Sequence, residues 1–166
     1  MTSNAPDPAI KRMKAPQRSS PSGSIFPAAR LLLCDDQRLV RIRVRQILQP
    51  LDIFEVVGLA EDGRSAVSMA LQLMPDIILM DVCMPELDGI QATSRILAQA
   101  PDIRVLGYSS DLTEETAKRM LMAGAHACVS KTGDAAELVD ALTRVLAGER
   151  FITIKKDDSC TKPGRD

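Results

Sequence analysis

Residues 77–89 read Ile-Ile-Leu-Met-Asp-Val-Cys-Met-Pro-Glu-Leu-Asp-Gly. The four apolar residues Ile77 to Met80 make a continuous run that does not alternate with polar ones. Strands of this kind are buried on both faces, as in a parallel sheet covered by helices. The run stops on an acid, Asp81. Pro85 and Gly89 punctuate the segment after it, and a helical apolar period then resumes from Gly89 to about Gln99, closed by Pro101.

The same grammar recurs on both sides. Upstream, Leu31-Leu32-Leu33-Cys34 ends at Asp35-Asp36, and Val40, Val44, Ile47 and Leu48 then recur at helical spacing until Pro50. Ile53 to Leu59 reads as a strand centred on Val56-Val57, followed by a helix with Ala66, Ala70 and Leu73 on one face, stopped before Pro75. Downstream, Ile103 to Tyr108 ends at Ser109-Ser110, and a helix over 114–123 is ended by Gly124. Ala127-Cys128-Val129 ends at Ser130-Lys131, and a helix over 134–147 is ended by Gly148. Five strand–helix pairs with short connections predict an α/β domain: a doubly wound, five-stranded parallel sheet with five helices.

Composition sets the limits around this unit. The chain has 166 residues, enough for one domain with tails. It is 45% hydrophobic but only 2% aromatic and lacks Trp, so the core must be aliphatic. No apolar run approaches the roughly 18 residues that would span a bilayer, and the N-terminus lacks the apolar run of a secretory signal. There are four cysteines and one histidine, with no CxxC pair. That argues against a structural zinc site and a disulfide framework, and for a cytoplasmic protein with Cys34, Cys83 and Cys128 as buried reduced thiols.

Residues 1–28 hold five of the ten prolines and read as a disordered, Ser- and Pro-rich tail. Charge follows the same division, at +4 for residues 1–30 and −5 for residues 31–166. A docking or nucleic-acid arm is the alternative reading of the basic tail, but an acidic body is a poor partner for nucleic acid. The folded unit is expected over 29–150, with a polar tail over 151–166.

In doubly wound sheets, ligands bind beyond the carboxyl ends of the strands. Here those ends deliver Asp35 and Asp36, Asp81, Ser109 and Lys131. Taken singly, each has a plain structural reading: an aspartate caps a helix or turn, a serine forms a turn, and a lysine is a solvated charge. Together they place three carboxylates, a hydroxyl and an ammonium at one edge. Crowded carboxylates repel, and a divalent cation such as Mg²⁺, which takes hard oxygen ligands and keeps several waters, relieves that cost. A carboxylate can attack phosphorus to form an acyl phosphate, and phosphoryl transfer needs chiefly positioning and charge neutralisation.

Leu33-Cys34-Asp35-Asp36, the run Met80 to Gly89, Ser109-Ser110 and Val129-Ser130-Lys131 together resemble the receiver domains of two-component response regulators. The resemblance covers about residues 30–150. Ala123-Gly124-Ala125 and Leu146 to Ile152 are similar to the NarL/FixJ-type subgroup. The resemblance implies a flavodoxin-like, receiver-type fold and Asp81 as phosphoacceptor. It also implies Mg²⁺ ligation by Asp36, by Asp35 through water, by Asp81 and by the backbone carbonyl of Cys83, with Ser109 and Lys131 answering the phosphoryl group.

The resemblance further implies a sensor histidine kinase or phosphotransfer protein as donor, a downstream protein partner, and a possible homodimer through the fourth helix, fifth strand and fifth helix. No enzymatic turnover is implied beyond self-phosphorylation and autodephosphorylation. Two departures stand out. Cys128 occupies the place where the family usually has an aromatic or histidine packing switch, with His126 two residues earlier and Tyr108 just before Ser109. The subgroup normally continues into a helix-turn-helix domain, for which residues 155–166 offer no helical period. The expected function is thus a receiver that switches protein–protein interaction. Its alternatives are the receiver part of a truncated DNA-binding transcription regulator, or an enzyme of the phosphotransferase or phosphatase type with an aspartate nucleophile and a second aspartate as acid–base.

Overall fold

The structure, a computed structural model, describes residues 27–153; the expected N-terminal tail to residue 26 and the chain from 154 onward lie outside them. The elements alternate as β1 (Ala29–Cys34), α1 (Arg38–Leu48), β2 (Phe54–Ala60), α2 (Gly63–Leu73), β3 (Ile77–Asp81), α3 (Gly89–Gln99), β4 (Arg104–Ser109), α4 (Glu114–Met122), β5 (Ala127–Ser130), α5 (Ala135–Leu146) and β6 (Phe151–Ile152). The sheet order is β2-β1-β3-β4-β5-β6, and every pairing is parallel. The order reverses between β1 and β3, which places the topological switch point beside Asp35 and Asp81.

The five predicted helices are present, but the sheet has six strands rather than five. The sixth is a two-residue strand in the segment expected to be a tail. Phe151 N–H donates to His126 O at 3.1 Å and Thr153 N–H to Cys128 O at 3.3 Å, so β6 covers the outer edge of β5. Packing helps to hold it there, since the Arg144 guanidinium of α5 lies 3.8 Å from the centroid of the Phe151 ring.

Strand alternation divides the core in two. Leu32, Cys34, Ile78, Met80, Val105 and Cys128 face α2, α3 and α4, where they meet Ala66, Ala70, Ala92, Ile96, Ala117 and Met120. Leu31, Leu33, Ile77, Leu79, Leu106, Tyr108 and Val129 face α1 and α5, where they meet Val44, Leu48, Leu138, Leu142 and Val145. Both faces of β3 are fully covered, as its continuous apolar run required. Truncating a residue such as Leu79 to Ala would cost about 2–5 kcal/mol.

Side-chain caps set the starts of four of the five helices, α1 having none. Asp62, Asp88, Thr113 and Asp134 each accept a backbone N–H from the first turn of α2, α3, α4 and α5. The β1–β2 register slips between Leu31 and Leu32, leaving Val57 as a bulge.

The cysteine expectation holds for Cys34 and Cys128, which are buried thiols, but Cys83 is exposed. In the loop after β3, Val82, Met84 and Leu87 turn inward, and Cys83 between them faces outward.

Candidate functional site

The site forms where three parallel strands end. β1 releases Asp35 and Asp36, β3 ends on Asp81, and the turn after β5 holds Lys131. One carboxylate oxygen from each of Asp35, Asp36 and Asp81 lies within 4.8 Å of the others. Asp35 is fully buried and Asp81 is 2% exposed, while Asp36 faces solvent. Unit charges about 4 Å apart interact by about 4 kcal/mol at an effective dielectric of 20, so the trio is repulsive unless cations offset it.

Lys131 supplies one cation. Its Nζ lies 2.7 Å from Asp35 Oδ2 and 2.9 Å from Asp81 Oδ2, and its side chain is only 8% exposed. Burial pushes the Asp81 carboxyl above its ordinary range, against the opposing pull of Lys131. For Lys131, burial acts downward, but the bonds to Asp35 and Asp81 outweigh it and raise the ammonium. One ammonium against three carboxylates leaves the cluster electron-rich, so its donor set of hard oxygens at the mouth of the sheet fits a divalent cation such as Mg²⁺.

Main-chain geometry holds the carboxylates in place. Gln37 N–H donates to Asp35 Oδ1 at 2.9 Å, and Cys83 N–H donates to Asp81 Oδ1 at 3.2 Å. The loop from β3 to α3 is folded tightly back: Gly89 N–H donates to Val82 O at 2.9 Å and Leu87 N–H to Pro85 O at 2.7 Å. Glu86, between the last two, adopts φ 63°, a left-handed conformation that a non-glycine residue adopts at some cost. Gly89 is required by proximity, since a Cβ there would sit 1.9 Å from the Asp81 carbonyl oxygen.

Ser109 ends β4, adjacent to β3 in the sheet. It is 1% exposed, and its Oγ is buried without a hydrogen-bond partner. Such a hydroxyl is costly unless something completes it. Its own carbonyl accepts Lys131 N–H at 2.7 Å, which ties the two residues through the main chain. All five strand-end residues therefore meet at the same end of the sheet. Cys83 joins them through its backbone N–H.

The other residues singled out from the sequence also have places. Tyr108 points to the α1/α5 side, away from Cys128, and Lys131 Nζ stands 5.8 Å from its ring centroid. Cys128 is wholly buried, and burial pushes its thiol up to about 12. A Cβ on Gly107 would lie 2.7 Å from Cys128 Sγ and 2.9 Å from Met120 Cγ, so this corner is filled by small and sulfur-bearing groups. His126 is half-buried at the opposite end of β5, remote from the carboxylates.

One residue escaped the sequence reading. Arg41 is 8% exposed; its Nη1 donates to Asp35 O at 2.6 Å and its Nη2 bonds the Glu61 carboxylate. A signal was present, because Arg41, Val44 and Leu48 form one buried stripe on α1 in which a cation needs a reason.

Comparison with known proteins bears on the family and the fold. The response regulator receiver domain matches residues 31–143. The response regulator GacA of Pseudomonas viridiflava is 38% identical over 124 residues, covering 75% of this chain and 58% of that protein. The transcriptional regulatory protein LiaR of Bacillus subtilis is 37% identical over 120 residues, covering 72% and 57%. A LuxR-family two-component response regulator from Aurantimonas sp. SI85-9A1 has a TM-score of 0.72 at 33% identity, covering 76% of this chain and 89% of that one. The chain spans under three fifths of the length of the curated relatives it matches, 58% in the case of GacA.

Proposed function

The chain belongs to the response regulator receiver domain family of two-component signalling, and from that premise we propose that Asp81 is its phosphoacceptor, working with Lys131, Ser109 and a Mg²⁺ ion. The observation that carries this is Lys131 bridging Asp35 and Asp81 inside a three-carboxylate cluster. Asp36, Asp81 and the Cys83 carbonyl would hold the ion directly and Asp35 through water. When bound, Mg²⁺ supplies charge neutralisation for the carboxylates and the incoming phosphoryl oxygens.

The chain's own groups do the rest. Cys83 N–H and Lys131 orient the Asp81 carboxylate. One of its oxygens forms the new O–P bond as the donor's bond to phosphorus breaks, and the leaving group keeps the electron pair and takes up a proton. With a histidine kinase or phosphotransfer protein as donor, the bond broken is N–P. Lys131 passes from the carboxylates to a phosphoryl oxygen, and the unpartnered Ser109 hydroxyl donates to another. The added charge, about −2 at neutral pH, shifts a two-state equilibrium that alters binding to a downstream protein. The chemistry is single self-modification and its hydrolysis rather than turnover of a substrate.

Among the described residues no helix is long and apolar enough to cross a membrane, and the donor is taken to be met in the cytoplasm. Incubation with a small phosphodonor and Mg²⁺ is expected to add one phosphoryl group to the wild type and none to Asp81→Asn. Modification of Asp81→Asn at the wild-type level would overturn the assignment.

The length of the curated relatives favours a second reading. LiaR is named a transcriptional regulatory protein, and this chain matches 57% of it. On that reading the chain is the receiver part of a DNA-binding transcription regulator. A helix-turn-helix reading frame directly downstream of the coding sequence would favour it.

A further inference from the structure

We propose that the groove between α3 and α4 is the docking site for an acidic, amphipathic segment of a partner protein; its coupling to phosphorylation rests on Asp81 being the phosphoacceptor. The groove is shallow and open, with a volume of about 470 Å³, and is lined by Ile90, Ser94 and Arg95 of α3 and by Arg119, Met122 and Ala123 at the end of α4. No carboxylate lines it. Arg95 and Arg119 are exposed and have no ion-pair partner among the described residues, whereas nearby Lys118 is paired with Glu114. Met122 is 87% exposed, and a flexible thioether at a surface is well suited to an apolar anchor of varied shape.

Charge indicates the occupant. The described residues carry thirteen Lys and Arg against eighteen Asp and Glu, so an acidic partner is repelled by most of the body and steered to its cationic patches. A segment with one apolar face and flanking carboxylates would bury Met122 and Ile90 and reach both guanidiniums.

The position of the groove gives it a link to the site. α3 begins at Gly89, whose close approach to the Asp81 carbonyl fixes its first turn. α4 follows the turn after Ser109. The two walls therefore hang from the two strand ends that the phosphoryl group engages. They meet in a tight seam, in which Leu97 would contact a Cβ on Gly124 and Thr93 Oγ1 lies 4.0 Å from Met120 Sδ. A shift at Ser109 changes the width of the groove.

The probe is a synthetic amphipathic peptide with a Leu face and a Glu face, compared with versions carrying Gln or Lys in place of Glu. It would be measured by fluorescence anisotropy and by NMR shift perturbation on the full chain. The Glu peptide is expected to perturb Ile90, Ser94 and Met122 and to bind about tenfold more tightly than the Gln peptide at low salt. The double variant Arg95→Glu/Arg119→Glu should lose the Glu peptide, gain the Lys peptide and still take up phosphate at the wild-type rate.

Equal binding of the Glu and Gln peptides, no binding, or perturbation centred on the exposed Leu39 and Ile42 of α1 would overturn the proposal. Affinity unchanged by phosphorylation of a chain shown to be phosphorylated would overturn the coupling. Failure of the phosphoacceptor assignment shows itself separately, as unmodified wild-type protein.

Discussion

The two ends of the sheet use the same chemical groups in opposite ways. At the amino ends of the strands, Arg30 and Asp76 form a network directed at the main chain. Arg30 N–H donates to Asp76 Oδ2 at 2.7 Å, its guanidinium bonds the carbonyls of Leu73 and Met74, and Asp76 N–H donates to Arg30 O at 2.9 Å. Cation and anion there mostly satisfy main-chain groups that would otherwise be orphaned. At the carboxyl ends, three carboxylates crowd one ammonium, and a buried hydroxyl has no partner. One arrangement spends its polar groups on the backbone, with only the Arg30 Nε left over, and the other gathers like charges around a single cation. An acid–base pair is thus structural or functional according to whether it serves the main chain or crowds with like charges at a strand end.

The contrast breaks most sharply at Asp81. Asp81→Asn should abolish phosphoryl uptake, read by mass spectrometry, yet leave the metal-free protein as stable as the wild type or more so in denaturant titration. The sign comes from the raised carboxyl. Its favourable contribution is fully present at low pH and is lost as pH rises through the folded value, so removing the charge at neutral pH relieves a repulsion. Gly89→Ala should damage both properties, because a Cβ 1.9 Å from the Asp81 carbonyl forces the loop to move. A loss of about 1–3 kcal/mol in stability with at least roughly tenfold slower uptake is expected.

Asp76→Ala tests the other end and should cost about 1 kcal/mol with uptake unchanged. Slower uptake in that variant would show that the ends are coupled. The smallest effect belongs to His126. Burial, with Arg150 and Arg104 nearby, lowers its imidazole, and Nδ1 accepts the Val105 N–H at 3.4 Å. The neutral ring's stabilisation is full above the ordinary value of 6.5 and is lost as pH falls through the lowered folded value. Melting temperatures should therefore drop on acidification below about pH 6.5, and less so in His126→Gln.

Strand-end chemistry was legible because a parallel sheet compels it. Once Ile77 to Met80 is read as a buried strand, Asp81 must emerge at the carboxyl edge, and Asp35, Asp36, Ser109 and Lys131 obey the same rule. Core side chains were legible from alternation. That Tyr108 and Cys128 lie on opposite faces was not, since it depends on the β4–β5 register that pairs Gly107 with Cys128. β6 was not, since a two-residue strand has no period and owes its existence to the unpaired edge of β5, a partner 24 residues away in the chain. The exposure of Cys83 depended on loop geometry rather than on local hydropathy. Arg41 was hidden because charged residues on amphipathic helices are ordinarily solvated, although its place in the Val44–Leu48 stripe said otherwise.

β6 has a mechanical consequence. Thr153 N–H is held by Cys128 O, three residues before Lys131, so tension applied at Thr153 is transmitted to the strand that carries the site's ammonium. The short β5–β6 ladder and the flanking bonds of Phe151 and Thr153 stand between such a pull and β5. They act as a fuse: weak loads reach the site as strain, and stronger ones release the strand and leave the carboxylate cluster untouched.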